Sequence, residues 1–365
     1  MYYCKVFICG FHPHSKLCGF SPMFYNIRIV MSKPMIVAEL SGNHNGSLDR
    51  AIELMEKAHA CGADAIKIQT YTEDSLTLDS KRDEFLLKGG LWGGMTYYEL
   101  YKKAKTPREW MKPLFEHAKA HGILLFSSPF SFEDVDCLEE AGCPIYKIAS
   151  YELNDLKLID YCASKGKPMV MSTGLATFEE IVRAVEVVRS HKIEDLTLLH
   201  CESRYPADPT KFNLLSIPYL KEQFKCKTGL SNHALGDELD IAAIALGADM
   251  IEKHFTDDRS KGGVDSAFSM DVADLTKLVK DAKMVSQALG VKEVKLQDDE
   301  WGMRNGRRSY YLVKPMKKGE VLTIEHVKSV RPALGLEPYL IDTLIGKSAT
   351  RDLESPIPLK AEDFN

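Results

Sequence analysis

The sequence predicts an α/β fold: a (β/α)8 TIM barrel followed by a small, mostly β second domain. Three observations carry that prediction. Eight short apolar runs alternate with helical patterns over roughly 250 residues, the size of a barrel of eight βα units. The runs are near-continuous in apolar residues, as strands of a parallel sheet covered on both faces are. No Gly-x-Gly-x-x-Gly follows the first run, which counts against an open dinucleotide-binding sheet.

In chain order the strand candidates are MIVAEL (35–40), AIKIQ (65–69), ILLFSSP (123–129), PIYKIAS (144–150), PMVMST (168–173), LTLLHCE (196–202), KTGLSNH (227–233) and MIEKHF (250–255). Helical patterns occupy 48–60, 107–121, 132–141, 178–190 and 238–246, and a last helix ends near Leu289. Residues 70–106 break this rhythm, being far longer than an ordinary βα connection. They hold Trp92, Tyr97, Tyr98 and Tyr101 and read as an aromatic lid or substrate-specificity loop, with GGLWGG (89–94) as irregular chain. The expected partition is a barrel over 31–290, a polar linker over 291–308 and a small domain over 309–365, where Pro and Gly punctuate short strands. Residues 1–30 stand apart: they hold three cysteines, seven aromatic residues and no acidic one, without the apolar core or cleavage site of a signal peptide. A second methionine, Met31, directly precedes the first strand, so this segment reads as an extension outside the fold.

Composition narrows the function classes. Of 365 residues, 45% are hydrophobic and 27% charged, which excludes disordered, collagenous and coiled-coil chains. The formal charge of −5 argues against a nucleic-acid partner, which calls for a basic stripe. No apolar stretch reaches the roughly 18 residues of a membrane span, so no membrane partner is expected. Nine cysteines (4, 9, 18, 61, 137, 143, 162, 201 and 226) form no Cys-x-x-Cys pair, a pattern that suits a reducing, cytoplasmic setting.

In such a barrel the active site lies at the C-terminal ends of the strands. Polar residues gather there: Glu39, Lys67, Gln69, Ser127, Ser128, Lys147, Ser150, Ser172, Thr173, His200, Glu202, Ser231, His233, Glu252 and His254. A strand lysine is often an edge gatekeeper. A barrel has no edge, so Lys67 and Lys147 need an anion or a carboxylate. With Ser128, Ser150, Ser172 and Ser231 they would make a phosphate or carboxylate pocket; either lysine could instead form a Schiff base. His233 and His254 end adjacent strands and could share one ion. With oxygen ligands filling the rest of the shell and no cysteine, Mn²⁺ or Mg²⁺ suits them better than Zn²⁺. His44 sits in a turn bordering the site, and histidines 12, 14, 59, 117, 121, 191 and 326 read as surface or packing residues.

Together AELSGNHNGS (38–47), IKIQTY (66–71), SSPF (127–130), YKIASYE (146–152), STG (172–174), HCESRYP (200–206), GLSNH (229–233) and EKHF (252–255) resemble the sialic acid synthase family. GRRSYYLVK and VRPALGLEP resemble that family's small antifreeze-like (SAF) domain, so the resemblance spans about 35–365. Finer features, YTEDSLTLDS (71–80), YELYKKAKTP (98–107) and DSAFSMD (265–271), look like its pseudaminic acid synthase branch. The resemblance implies a metal-dependent condensation of phosphoenolpyruvate with an open-chain amino sugar, releasing phosphate. It implies that His233 and His254 bind the metal, Mn²⁺ with Mg²⁺ or Co²⁺ as alternatives. It implies that Lys67, Lys147, Ser128, Ser150, Ser172 and Ser231 hold phosphoenolpyruvate. Glu39, Gln69, Tyr205, Glu152 and Asp265 would surround the sugar and the attacking water, with Glu39 or Glu152 handling that water. It implies a domain-swapped homodimer in which Arg331 contacts the partner's sugar. The lysines would then act as a charged clamp rather than a Schiff base. Rival readings are an N-acetylneuraminic or legionaminic acid synthase, a Schiff-base aldolase, and an inactive SAF-type binding or scaffold protein. Two departures stand out: Asn232 replaces the family's usual Asp, which puts metal tuning in question, and Gly263-Val264-Asp265 replaces its usual Pro-Asp.

Overall fold

A computed structural model describes residues 33–365; the extension read at 1–30 lies outside the described residues. Eight parallel strands close into a barrel in chain order: β1 (Met35–Glu39), β2 (Ala65–Thr70), β3 (Leu125–Pro129), β4 (Tyr146–Ile148), β5 (Met169–Ser172), β6 (Leu196–Cys201), β7 (Lys227–Asn232) and β8 (Met250–His254). Strand β8 pairs back onto β1, setting Glu39 level with His254, while β1 and β2 set Glu39 level with Lys67. Closure is tight at one point. A Cβ on Gly229 would lie 2.0 Å from the Met250 carbonyl oxygen, so β7 and β8 meet there only because the residue is glycine.

Helices form the outer ring: α1 (Leu48–Ala60), α2 (Glu73–Leu76), α3 (Tyr97–Ala104), α4 (Met111–Ala120), α5 (Phe132–Ala141), α6 (Leu156–Ala163), α7 (Phe178–Ser190), α8 (Ser216–Phe224), α9 (Glu238–Ala245) and α10 (Val272–Ala288). Several starts have a local cause. Ser47 caps α1 by accepting the Arg50 amide, and Thr177 with Glu180 forms a capping box on α7. Helix α1 buries Ala51, Leu54, Met55 and Ala58, spacings that make one face. That face packs on outward strand residues such as Ile36, Ile66 and Ile68 in one continuous core.

The connection 70–106 is more ordered than its reading as a loop. It contains α2 and α3, each opened by a capping box, Thr72 with Ser75 and Thr96 with Glu99. Helix α3 buries only Leu100 and Ala104, too few positions for its period to stand out in sequence. GGLWGG turns through a short 3-10 segment, Gly90–Trp92, with left-handed φ at Gly90 and Gly94.

Chain contacts divide into two units at Val291/Lys292. The second unit opens with a 3-10 helix, Asp298–Gly306, inside the stretch expected to be linker. It then forms a three-stranded antiparallel sheet, with β9 (Ser309–Leu312) between β10 (Val327–Val330) and β11 (Ile357–Pro358). Leu312, Met316, Leu322, Leu344, Leu353 and Phe364 fill its own core. Among the described residues no helix is long and apolar enough to cross a membrane, and Cys61, Cys137, Cys143, Cys162, Cys201 and Cys226 are free thiols.

Candidate active site

The strand period of two decides which polar side chains enter the barrel. Lys67 from β2 ion-pairs with Glu39 from β1 and lies 3.5 Å from Glu252 of β8. Lys147 of β4 lies 3.7 Å from the other Glu252 oxygen. Ser231 of β7 donates to Glu252 at 3.2 Å. All five side chains are buried. Burial pushes the Glu252 carboxyl up, but Lys147 and Lys67 outweigh it and hold the group below its usual value. Burial lowers Lys67, but Glu252 and Glu39 overcome this and raise it, so this lysine is charged. At Lys147 burial wins and the ammonium is weakened. At Glu39 burial also wins, and the carboxyl is raised. Glu252, which bridges both lysines, is in sequence one polar strand end among many, with no role of its own. Its signal was its parity with His254, two residues on along one strand.

Around this floor, buried hydroxyls stand unpaired. Ser128, level with Gln69 across the β2–β3 pair, and Ser172 at the end of β5 have no hydrogen-bond partner. Ser150 begins a 3-10 turn after β4, where a Cβ on Gly174 would come within 2.7 Å of its hydroxyl. Orphaned donors beside two lysines suit an anion with several oxygens.

The two histidines sit one above the next strand, ring centroids 5.3 Å apart, with Tyr205 4.3 Å from His233 and Phe268 5.0 Å from His254. The His233 Nδ1 faces the Glu202 carbonyl at 3.1 Å, which turns its Nε2 inward. His254 Nδ1 is buried without a hydrogen-bond partner, 3.7 Å from the Asp265 carboxylate. Burial, then His233, pushes the His254 imidazole well below its usual value, leaving a neutral ring with a lone pair. Asp265 is held by the Ser41 hydroxyl, and the Ser41 amide donates to Glu39 at 2.6 Å. A neutral imidazole, a second ring nitrogen and a carboxylate make a donor set that fits a divalent ion.

Gln69, Glu152, Tyr205, His254 and Asp265 line one cavity of about 530 Å³. Its opposite wall is apolar: Tyr71, Leu76, Phe85, Leu87, Trp92, Tyr97 and Tyr101, all from the 70–106 connection. Glu152 is the unusual acid here. One of its oxygens is buried and unpaired, and burial pushes its carboxyl up to about 7 despite the nearby Lys147.

Several polar strand-end residues face outward and are structural. Ser127 bonds Thr70 and the Ile68 carbonyl, and His200 bonds the Phe212 carbonyl. His44 is buried beside Trp110, and burial followed by Arg50 pushes it down to about 4. Its loop contributes Ser41 to the cavity rather than the imidazole. Arg331 follows β10 in the second unit and is exposed.

Asn232 also faces outward, so its own side chain is not among the donors of the barrel interior. Its amide donates to Asp240 of α9 at 2.8 Å, and its oxygen accepts the Ala234 amide at 2.8 Å. Lys253 closes the cluster, donating to the carbonyls of Ala234 (2.6 Å) and Gly236 (3.1 Å). An aspartate at 232 would replace the donating amide with a second buried carboxyl facing Asp240, whose own carboxyl burial already pushes up. Asn232→Asp is therefore expected to lower stability by about 1–3 kcal/mol, read as a fall in denaturant midpoint. An unchanged midpoint would show that the cluster rearranges freely.

The sequence matches the NeuB family model over residues 54–294 and the SAF domain model over 307–365. The chain belongs to the NeuB family. It is 46% identical to a pseudaminic acid synthase of Campylobacter jejuni subsp. jejuni over 91% of this chain and 97% of that one. It is 33% identical to an N,N'-diacetyllegionaminic acid synthase of the same species, over 88% of this chain and 97% of the other. Among solved structures it resembles the N-acetylneuraminic acid synthetase of Leptospira borgpetersenii in complex with citrate. That match has a TM-score of 0.67 and 31% identity, covering 74% of this chain and 90% of that one.

Proposed function

We propose that this NeuB-family chain is a pseudaminic acid synthase. It joins phosphoenolpyruvate to 2,4-diacetamido-2,4,6-trideoxy-L-altrose and releases phosphate. One observation carries the reading: a floor of paired lysines and orphaned serine hydroxyls adjoins a cavity with an aromatic wall. The floor suits phosphate and carboxylate, and the wall suits a 6-deoxy sugar with a methyl group. The higher identity to the pseudaminic than to the legionaminic relative supports that branch.

Lys67, Lys147, Ser128, Ser150, Ser172 and Ser231 bind phosphoenolpyruvate. Its charge draws Lys147 back to full protonation. His233, His254 and Asp265 would hold a divalent ion, Mn²⁺ as the family resemblance implies. When bound, such an ion polarises the sugar aldehyde. Gln69 and Tyr205 orient the sugar so that its C1 faces the enol carbon. Carbon–carbon bond formation leaves a cationic C2, which the carboxylates of the floor stabilise. Water then adds at C2 and phosphate departs. Glu152 takes the proton from that water: it has a free oxygen in the cavity, whereas Glu39 is held by Lys67 and Ser41. The reading extends to a homodimer in which Arg331 reaches the partner's sugar. Arg331→Ala should then raise the sugar KM about tenfold or more, while light scattering shows a dimer. A monomer under active conditions, or full activity of the variant, would remove this part.

The deciding assay is phosphate release from phosphoenolpyruvate with Mn²⁺, offering the altrose sugar and N-acetylmannosamine separately and weighing the product by mass spectrometry. Release with the altrose sugar alone is expected. Release with N-acetylmannosamine alone would assign the chain to the sialic branch, and release with neither would overturn the enzymatic reading.

A further inference from the structure

We propose that Glu56, His117 and His121 form a second metal site, for Zn²⁺ and other borderline transition ions, that ties α1 to α4. The site lies away from the catalytic cavity. His121 directly follows α4 and precedes β3, so it sits at the N-terminal end of the barrel strands, opposite the mouth where the cavity lies. By sequence both histidines are surface or packing residues. Their spacing, His-x-x-x-His, puts them one helical turn apart.

Three observations argue for a site rather than a chance cluster. First, the donor atoms of the three side chains lie within 4.8 Å of one another, drawn from two different helices. Second, the His121 Nδ1–H donates to the His117 backbone carbonyl at 2.8 Å. That bond holds the proton on Nδ1 and leaves the Nε2 lone pair free, as the outer partner of a metal-binding histidine does. Third, His117 Nε2 faces a Glu56 oxygen at 2.9 Å, so an ion replacing the shared hydrogen would find a nitrogen and an oxygen already together. The rings of His117 and His121 stack with centroids 4.0 Å apart. Glu56 and His121 are exposed and free to close onto an ion with bonds of about 2.0–2.2 Å.

The donor chemistry sets the ion. Two imidazoles and a carboxylate favour Zn²⁺, Co²⁺ or Ni²⁺ over Mg²⁺, with water completing a tetrahedral shell. Neither helix contributes these residues to the cavity, so the ion acts on the fold. It binds the native pair of helices and not the unfolded chain, and so raises the melting temperature in proportion to the logarithm of free metal.

The test uses metal-stripped, full-length protein dialysed against Zn²⁺ alone. Wild type is expected to bind one equivalent more than His121→Gln. In a His233→Ala background, which removes a barrel imidazole, Zn²⁺ should still raise the melting temperature. Adding His121→Gln should abolish that rise. Co²⁺ should show the intense visible absorption of tetrahedral coordination in the His233→Ala protein and lose it in the double variant. His117→Gln serves as a second removal, and circular dichroism checks that each variant is folded. Equal stoichiometry in wild type and His121→Gln, or an unchanged Co²⁺ spectrum, would overturn the proposal. Catalysis with saturating Mn²⁺ is expected to be the same for wild type and His121→Gln.

Discussion

Lys67→Met is expected to cost the fold about 3–5 kcal/mol and to weaken use of phosphoenolpyruvate by on the order of 10²-fold in kcat/KM. The two effects have different origins. Lys67 stands between Glu39 and Glu252, and all three are buried. Removing the ammonium leaves two carboxylates facing each other with only Lys147 nearby, 3.7 Å from Glu252. The catalytic loss comes instead from a missing charge-assisted contact to the substrate anion. A double variant separates them. Lys67→Met/Glu39→Gln removes the carboxylate that loses its direct partner, leaves Glu252 paired with Lys147, and should recover most of the stability. It should not recover kcat/KM. Recovery of both would mean that Lys67 serves only the fold, and the anion-clamp reading would then fail.

The second large effect is at Glu152. Glu152→Gln should lower kcat by about 10²–10⁴-fold, the usual share of a general base. Its pH behaviour is the sharper readout. Burial raises this carboxyl from 4.5 to about 7, so the ionised base is lost as pH falls through about 7. Wild-type kcat should therefore decline on the acid side in that region, and the residual activity of Glu152→Gln should lack that limb. Stability runs the other way. A carboxyl whose folded value lies above its unfolded one disfavours the fold as pH rises from about 4.5 through 7. Glu152→Gln should thus be more stable than wild type above about pH 7 and nearly equal below 4.5. An unchanged acid limb in the variant would transfer the base role to Glu39.

Much of this site was legible without coordinates, for a physical reason. The outer face of a barrel strand is mostly apolar, so a lysine, serine or histidine in phase with the inward positions of an apolar run points to the barrel interior. Lys67, Lys147, Ser231 and His254 are visible on that ground alone. The same reasoning misled where parity was ignored. Ser127, His200 and Asn232 also lie late in strands, but they are one residue out of phase: Ser127 bonds Thr70 of β2, His200 the Phe212 carbonyl and Asn232 Asp240 of α9.

The sequence by itself determined the eight strands, their order and the chemistry at their ends, because period, turn residues and residue type are local properties. Tertiary structure decided which charges meet. Glu252 joins Lys67 and Lys147 only because β8 closes against β1 and its side chain crosses the barrel interior. Helix α3 became part of the cavity wall, and His117 met Glu56, through packing between segments far apart in the chain. Buried ion pairing and cavity shape depend on distances set by closure of the whole ring. No window of sequence contains those distances.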